Sequence, residues 1–287
     1  MISKKISLGT VLFGMNYGVS GSKKSNFDNS REIIDIVKKS GISFLDTAVN
    51  YGTSEEVLGT IGVKEMNITS KIPNLSSIEY SENLINNIFH DSLSRLNIKS
   101  VYGLLLHSFD DLFSENGNNI YNSLLKLKKQ NLVKKIGVSV YNVDQIKKVI
   151  DNYQVDIIQC PFNIFDTSLI DSGISKVLKD KGIEIHVRSI FLQGLLLMPN
   201  IDIPNYFSKW KNKFLNYENY CKKNNISKLE CCLNFVNKYR DIDKIVIGVE
   251  NKKQLLEILN IKTVDVFDLN KLSSKDINLI NPSVWKV

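Results

Sequence analysis

The sequence predicts a single-domain α/β fold of the (β/α)8, or TIM-barrel, type, and three observations support this prediction. The chain has 287 residues, close to the roughly 250 residues that a closed barrel of this kind usually needs. Short β-rich runs alternate with segments of helical periodicity, as in a parallel sheet with crossover helices. No linker or low-complexity segment divides the chain, so we treat residues 1–287 as one domain.

Eight runs have the composition of strands in a parallel sheet. They are Ile6–Thr10, Ser43–Asp46, Asn67–Lys71, Tyr102–His107, Lys135–Val140, Asp156–Gln159, Glu184–Ser189 and Lys244–Gly248. Eight strand-and-helix units favour a closed barrel, although a doubly wound open sheet reaches similar strand counts.

The segments between the strands predict amphipathic helices. Apolar side chains recur on one face of Ser30–Ser40 and again from Leu84 to Leu96. Two Ser/Thr-x-x-Glu sequences, which begin at Thr53 and Ser227, are typical of capping boxes that open a helix. Residues 191–225 depart from the strand-and-helix rhythm, and we expect them to form an insertion over one face of the barrel.

Composition argues against several classes of function. The net charge is +7, but the lysines occur as scattered pairs, which favours solubility over a nucleic-acid partner. The four cysteines have no metal-like spacing, and a chain of this size needs no disulfides. No run approaches the ~20 apolar residues of a membrane helix. We therefore expect a cytoplasmic protein with no metal, no nucleic-acid partner and no membrane span.

Polar side chains lie at the ends of several predicted strands. Asp46, Lys71, His107, Gln159 and Ser189 each end one of the eight runs. In barrels of this class the chemistry takes place at the carboxyl ends of the strands. Because polar side chains pack poorly there, their presence indicates a functional site.

Three segments resemble the catalytic pattern of the aldo-keto reductases. The first runs from Phe44 to Gly52 with Asp46 and Tyr51, the second is Thr69–Lys71, and the third is Leu104–His107. In that family an Asp, a Tyr about five residues later, a strand-end Lys and a strand-end His form a catalytic tetrad. The resemblance covers nearly the whole chain. It implies reduction of an aldehyde or ketone to an alcohol with NAD(P)H.

The resemblance also implies a role for each member of this tetrad. Tyr51 is the candidate general acid, but a free tyrosine has a pKa of about 10. A lysine ammonium about 4 Å away would lower that pKa by roughly three units. We therefore expect Lys71 to bring the pKa of Tyr51 close to neutral pH. Asp46 would hold Lys71 in place, and His107 would bind the carbonyl oxygen or relay the proton. His90 and His186 are interpreted as structural.

A nicotinamide cofactor, either NADP or NAD, follows from the same resemblance. Two residues depart from the family pattern: Val140 replaces a common asparagine, and Arg188 stands where many members have a tyrosine that stacks on nicotinamide. The run from Arg188 to Gly194 is similar to that of branches found alongside sugar-modifying enzymes, which points to a carbohydrate-related substrate. The implied cofactor residues are Thr10, Ser139, Gln159, Arg188, Ser189, Phe191, Gly194, Gly248, Glu250, Asn251 and Gln254.

The residues after the eighth strand leave the choice of cofactor open. Members specific for NADPH usually have basic residues there, whereas this chain has Glu250 and Asn251. A carboxylate at this position favours a ribose hydroxyl, as in dinucleotide-binding folds. Lys252 or Lys253 could still reach a 2′-phosphate.

Two other functions compete with carbonyl reduction. A cofactor-binding sensor or regulatory module with little turnover would keep the nicotinamide site, and the departures at Val140 and Arg188 fit that alternative. A Schiff-base enzyme would use Lys71 as a nucleophile, which requires a neutral amine. The intact tetrad disfavours the first alternative, and the neighbouring Asp46 disfavours the second.

Overall fold

The computed structural model describes residues 2–19, 21–267 and 269–286, and in it eight parallel strands close into a barrel. Each strand pairs with the next along the chain, and β1 also pairs with β8. The strands are β1 (Ile6–Gly9), β2 (Phe44–Asp46), β3 (Asn67–Ile72), β4 (Val101–Leu106), β5 (Val133–Ser139), β6 (Ile157–Pro161), β7 (Glu184–Arg188) and β8 (Lys244–Gly248). The predicted barrel and all eight predicted strands are confirmed.

Helices surround the barrel and cover its outer face. The α-helices are α1 (Val11–Gly14), α2 (Phe27–Lys39), α3 (Ser54–Ile61), α4 (Leu84–Leu96), α5 (Gly117–Lys129), α6 (Val143–Asn152), α7 (Ser168–Asp171), α8 (Ile174–Asp180), α9 (Lys211–Lys223), α10 (Lys228–Asn237), α11 (Lys252–Leu259) and α12 (Ile277–Ile280). Short 3-10 helices are Ile2–Lys4, Asp110–Phe113, Asn200–Asp202, Asn205–Trp210, Leu269–Leu272 and Pro282–Val284. Every residue of β2 and β6 is buried, as expected for parallel strands covered on both faces.

The two predicted capping boxes have different outcomes. At α10 the Ser227 side chain accepts from the Glu230 backbone, and the Glu230 side chain accepts from the Ser227 backbone. The prediction at α3 is wrong, since Thr53 makes no cap hydrogen bond. Its hydroxyl instead accepts from Lys24 Nζ at 2.7 Å, and its backbone (φ −89°, ψ 14°) lacks the extended shape that a cap requires.

The predicted insertion packs against the C-terminal tail, which is the segment that follows α11. The second half of the insertion is α9, which buries Phe214, Tyr217 and Cys221. Lys213 Nζ donates to the carbonyl oxygens of Leu272 and Ser273 in the tail, at 2.9 and 2.7 Å. No helix within the described ranges is long and apolar enough to cross a bilayer.

Glu55 is a buried carboxylate that joins α3 to β3 and α4. One of its oxygens accepts from Ser70 and Ser92 at 2.8 and 2.6 Å. The other accepts from Nε and Nη2 of Arg95 at 2.9 and 2.8 Å. Because Ser70 precedes Lys71 and α3 follows Tyr51, this network holds two segments that carry candidate catalytic residues.

We expect Glu55→Gln to lower the free energy of unfolding by about 2–3 kcal/mol, because an amide cannot accept both serine and arginine donors and leaves buried groups unpaired. Its neighbour Glu56 is exposed, so Glu56→Gln should cost less than about 0.5 kcal/mol. Urea unfolding of both variants at neutral pH measures the difference. Equal stability of the two variants would contradict the structural role of Glu55.

Candidate active site

A cavity of about 670 Å³ opens at the carboxyl ends of the strands. Gly9, Asp46, Gln159, Arg188 and Gly248, at or next to the ends of five strands, line it. Its walls continue along the loop after β7 and across α11. Of the five polar strand-end residues, Asp46, Gln159 and Ser189 line this cavity, whereas Lys71 and His107 are not part of its wall.

A buried ion pair forms the floor of the site. Lys71 Nζ lies 2.5 Å from Asp46 Oδ1 and donates a second hydrogen bond to the Thr47 carbonyl at 2.9 Å. Gln159 Nε2 donates to the other Asp46 oxygen at 2.7 Å. Asp46 is 2% exposed and Lys71 is 1% exposed. Burial lowers the pKa of the Lys71 ammonium, and the Asp46 carboxylate opposes that shift.

Tyr51 lies in the loop after β2, above this ion pair. Its ring centroid is 5.2 Å from Lys71 Nζ. The loop is fixed by a close contact with α1, since a Cβ atom added to Gly14 would lie 1.6 Å from the Tyr51 carbonyl oxygen. Only glycine fits there, so the Tyr51 backbone rests directly on α1.

The predicted lowering of the Tyr51 pKa is wrong. Burial raises the pKa of the Tyr51 phenol well above its usual value of 10, the Asp46 carboxylate raises it further, and Arg188 opposes the shift. Lys71 Nζ lies near the ring, but the Asp46 carboxylate pairs with it at 2.5 Å and itself raises the pKa of Tyr51. Tyr51 therefore keeps its proton at neutral pH.

His107 follows β4 directly, and its backbone N–H donates to Ile72 at 2.9 Å. Its ring meets the Tyr51 ring edge to face, with centroids 5.8 Å apart. Burial lowers the pKa of the imidazole to about 4, and the positive charges of Lys71 and Arg188 lower it in the same direction. His107 is therefore neutral at physiological pH.

Asn50 contacts His107 and was missed by the sequence analysis. Its Oδ1 lies 3.1 Å from His107 Nδ1, although the two residues are 57 positions apart in the chain. The position of Asn50, one residue before Tyr51 in a predicted loop, was the one available signal. All four predicted tetrad residues lie together, with Asn50 at their exposed edge.

The predicted cofactor residues divide into two groups. Three of them lie outside the cavity wall: Thr10 and Ser139 are buried, and Asn251 caps α11 by accepting from the Gln254 backbone. The residues that do line the cavity are Gln159, Arg188, Ser189, Phe191, Gly194, Gly248, Glu250 and Gln254.

Val140 and Arg188, the two departures from the family pattern, contact each other. Arg188 Nη2 donates to the Val140 carbonyl oxygen at 3.1 Å. The guanidinium also lies over the ring of Tyr141, 4.5 Å from its centroid. Arg188 is thus held between β7 and the end of β5, with its charge at the cavity wall.

The loop after β7 has an unusual backbone. Ser189, Leu192 and Gln193 all have positive φ angles, of 57°, 50° and 54°. Of the residues that the structure describes, none accepts a hydrogen bond from the backbone N–H of Phe191 or of Gln193. Backbone N–H groups without an acceptor in the loop are available to a ligand that carries hydrogen-bond acceptors. Gln193 also donates to the Tyr17 hydroxyl at 3.3 Å, a contact that sequence reasoning missed.

Glu250 stands at the far end of the cavity, beside the loop between α1 and α2. It accepts a hydrogen bond from the Ser22 hydroxyl at 2.6 Å, and its backbone N–H donates to Gln254 at 2.8 Å. The two lysines that could bind a phosphate lie outside the cavity wall, in exposed contacts with carboxylates. Lys252 pairs with Glu32 at 3.1 Å, and Lys253 lies 4.0 Å from Glu257.

Comparisons with known proteins agree with this geometry. A sequence model described as the Aldo/keto reductase family matches residues 5–282. The chain is 26% identical over 226 residues to the NADH-specific methylglyoxal reductase of Escherichia coli, an alignment that covers 67% of this chain and 69% of that protein.

Two solved structures show the same fold at low sequence identity. The first is an aldo-keto reductase from Bacillus halodurans in its holo form, with a TM-score of 0.75 and 17% identity over 94% of this chain and 92% of that one. The second is the glycerol dehydrogenase of Gluconobacter oxydans, with a TM-score of 0.71 and 19% identity over 93% and 89%. Because the family match spans nearly the whole chain, this protein belongs to the aldo-keto reductase family of NAD(P)-dependent oxidoreductases, which act on carbonyl or CH–OH groups.

Proposed function

We propose that this protein reduces a small aldehyde or ketone to an alcohol, with Tyr51 as the general acid and NADH as the preferred cofactor. The observation that carries the proposal is the Tyr51 phenol, which lines the cavity and retains its proton beside the buried Asp46–Lys71 pair. The relative from Escherichia coli, a methylglyoxal reductase, supports a small carbonyl substrate.

The cavity fits a dinucleotide cofactor. Its volume of about 670 Å³ lies within the range of roughly 300–1,000 Å³ usual for small-molecule sites. The N–H groups of Phe191 and Gln193 suit a pyrophosphate, and Glu250 suits a ribose hydroxyl. Gln159, whose amide lines the cavity near Tyr51, suits a carboxamide. When bound, the nicotinamide supplies the hydride for the carbonyl carbon.

The residues of the tetrad divide the proton chemistry among them. Tyr51 holds a proton at neutral pH and donates it to the developing alkoxide, which is a much stronger base than a phenolate. The phenolate that remains is stabilised by the Lys71 ammonium below its ring. Asp46 fixes the position of Lys71, and Gln159 satisfies the second Asp46 oxygen. The raised pKa of Tyr51 keeps the phenol protonated at neutral pH, which is the form that reduction requires.

Replacing Tyr51 with phenylalanine tests the proposed acid. We expect Tyr51→Phe to lower turnover by about 10²- to 10⁴-fold, because a positioned general acid contributes about that much. Affinity for NADH should stay nearly unchanged, since the ring still fills its site. The measurements are steady-state reduction of methylglyoxal with NADH and fluorescence titration of the cofactor.

The stability of Tyr51→Phe against urea provides the control for this prediction. No described residue hydrogen-bonds the Tyr51 hydroxyl, so Tyr51→Phe should unfold at the same urea concentration as the wild type. A variant that is fully folded and retains more than about a third of wild-type turnover, far above the expected loss, would show that Tyr51 is not the acid.

The preference for NADH rests on charge at the far end of the cavity. Glu250 lines the cavity, whereas Lys252 and Lys253 are paired with carboxylates and lie outside its wall. A 2′-phosphate beside Glu250 would meet like-charge repulsion, while a ribose hydroxyl could replace Ser22 as its hydrogen-bond donor. The relative named as NADH-specific supports the same preference.

Glu250→Lys should therefore shift the preference toward NADPH by at least about tenfold, the factor that corresponds to one contact of about 1.4 kcal/mol. The shift should shrink with added salt, because exposed charges are screened over about 10 Å at 0.1 M. Paired titrations with NADH and NADPH measure it. Asp151→Lys makes the same change of charge on exposed α6, outside the cavity, and should leave the preference as it is. A wild type that prefers NADPH, with no change in Glu250→Lys, would contradict the proposal.

A further inference from the structure

We propose that Arg188 makes the site select the reduced cofactor over the oxidised one, because its positive charge repels the cationic ring of NAD⁺ and not the neutral ring of NADH. Arg188 is thus a specificity-determining residue for the redox state of the cofactor. The inference rests on the proposed carbonyl reduction and adds which form of the cofactor the site retains.

The Arg188 guanidinium is fixed at the wall of the cavity. Arg188 is the last residue of β7 and lines the cavity. Its Nη2 donates to the Val140 carbonyl oxygen at 3.1 Å, and its guanidinium carbon lies 4.5 Å from the centroid of the Tyr141 ring. Val140 and Tyr141 follow the end of β5 directly. Both contacts therefore hold the charge at the carboxyl end of the barrel.

This guanidinium has no direct counterion. Within the described ranges, none of the ion pairs includes Arg188. Asp46 also lines the cavity, but it is paired with Lys71 at 2.5 Å. The buried Asp166 accepts instead from the N–H and the hydroxyl of Ser168, at 3.2 and 2.6 Å. This part of the cavity thus carries an unpaired positive charge.

The charge of Arg188 acts at the end of the cavity where the proposed reaction takes place. It opposes the rise of the Tyr51 pKa and contributes to the lowered pKa of His107. Because Tyr51 is the proposed acid, the carbonyl group must lie beside it. The nicotinamide ring must lie within reach of the same carbonyl carbon to deliver a hydride. The ring therefore lies within the electrostatic field of Arg188.

Hydride transfer changes the charge of that ring. The hydride carries two electrons from the neutral ring of NADH to the carbonyl carbon, and the proton for the carbonyl oxygen comes from Tyr51. The ring is left with a charge of +1. NADH and NAD⁺ have the same pyrophosphate, riboses and carboxamide, so a fixed cation near the ring distinguishes them by charge. It weakens the binding of NAD⁺ and leaves that of NADH unchanged.

The expected effect does not require direct contact between the guanidinium and the ring. A tenfold difference in affinity corresponds to about 1.4 kcal/mol. Two unit charges repel each other by that amount at a separation of about 12 Å when the effective dielectric constant is about 20. It is sufficient that both charges lie at the same end of the cavity. A site that disfavours NAD⁺ in this way releases the oxidised cofactor and is less inhibited by it.

The competing role for Arg188 is binding of the pyrophosphate. That group is an anion and is present in both forms of the cofactor. Loss of an arginine that binds it would weaken NADH and NAD⁺ by the same factor. The two roles therefore differ in the ratio of the two dissociation constants.

Calorimetric titrations of NADH and NAD⁺ without substrate test the inference. The ratio of the Kd for NAD⁺ to the Kd for NADH should fall about tenfold from wild type to Arg188→Met. Arg188→Gln removes the charge but keeps a donor for the Val140 carbonyl oxygen, and it should show the same fall. Arg188→Lys keeps the charge without the planar group, and it should retain most of the wild-type ratio.

Arg240→Met is the matched control. Arg240 is exposed and precedes β8, outside the cavity wall, so loss of its charge should leave the ratio unchanged. Urea unfolding checks that each variant folds. The ratio is also measured with NADPH and NADP⁺, which both carry the 2′-phosphate, so the test does not depend on which cofactor the protein prefers.

The outcomes separate this inference from the proposed function. An unchanged ratio in folded Arg188→Met and Arg188→Gln would overturn the role of Arg188 while leaving carbonyl reduction intact. A ratio that falls in both neutral variants and persists in Arg188→Lys would support repulsion of the oxidised ring. A wild type that binds the cofactor but reduces no carbonyl compound would overturn the proposed function alone. A wild type that binds neither form would overturn both.

Discussion

A buried ion pair between Asp46 and Lys71 determines the electrostatics of the whole site. Two unpaired charges at this depth would cost several kcal/mol each, on the order given by effective desolvation penalties. Here the second Asp46 oxygen and a second ammonium proton are both satisfied, by Gln159 and by the Thr47 carbonyl. The pair thus joins the ends of β2, β3 and β6. The pair has different effects on its two neighbours, Tyr51 and His107. The pKa of Tyr51 stays raised beside it. The charge of Lys71, in contrast, contributes to the lowered pKa of His107.

The fold could be predicted from the sequence because its signals are local. Alternation of strand and helix patterns is visible within each unit, and the chemistry of a barrel is confined to strand ends. Capping shows the limit of local signals. Ser227 and Thr53 begin the same motif, yet only the first forms a capping box. Thr53 instead accepts a hydrogen bond from Lys24, a residue 29 positions away in the loop between α1 and α2.

The properties of the site that could not be predicted depend on distances between separate units. The pKa of Tyr51 follows from its burial and from the nearby Asp46 carboxylate, and neither effect is visible in a strand-end lysine. Val140 and Arg188 looked like independent departures from the family pattern, but they form one contact across the strand ends. Asn50 faces His107 across two loops. In each case the residue type indicated the site, but the role of the residue depends on neighbours that only the closed barrel brings together.

The geometry of the cavity is maintained by packing beneath its loops. Three residues with left-handed backbones after β7 each cost about 1–3 kcal/mol in strain. Leu192, Leu195 and Leu196 are fully buried in the core, and burial of each such side chain stabilises by about 1.5–3 kcal/mol. The apolar contacts therefore offset the strain of the loop that carries the Phe191 and Gln193 N–H groups. The Tyr51 loop is fixed in a similar way, by its backbone contact with Gly14. The polar groups of the site can thus stay in place without a ligand, because buried apolar and backbone contacts hold them there.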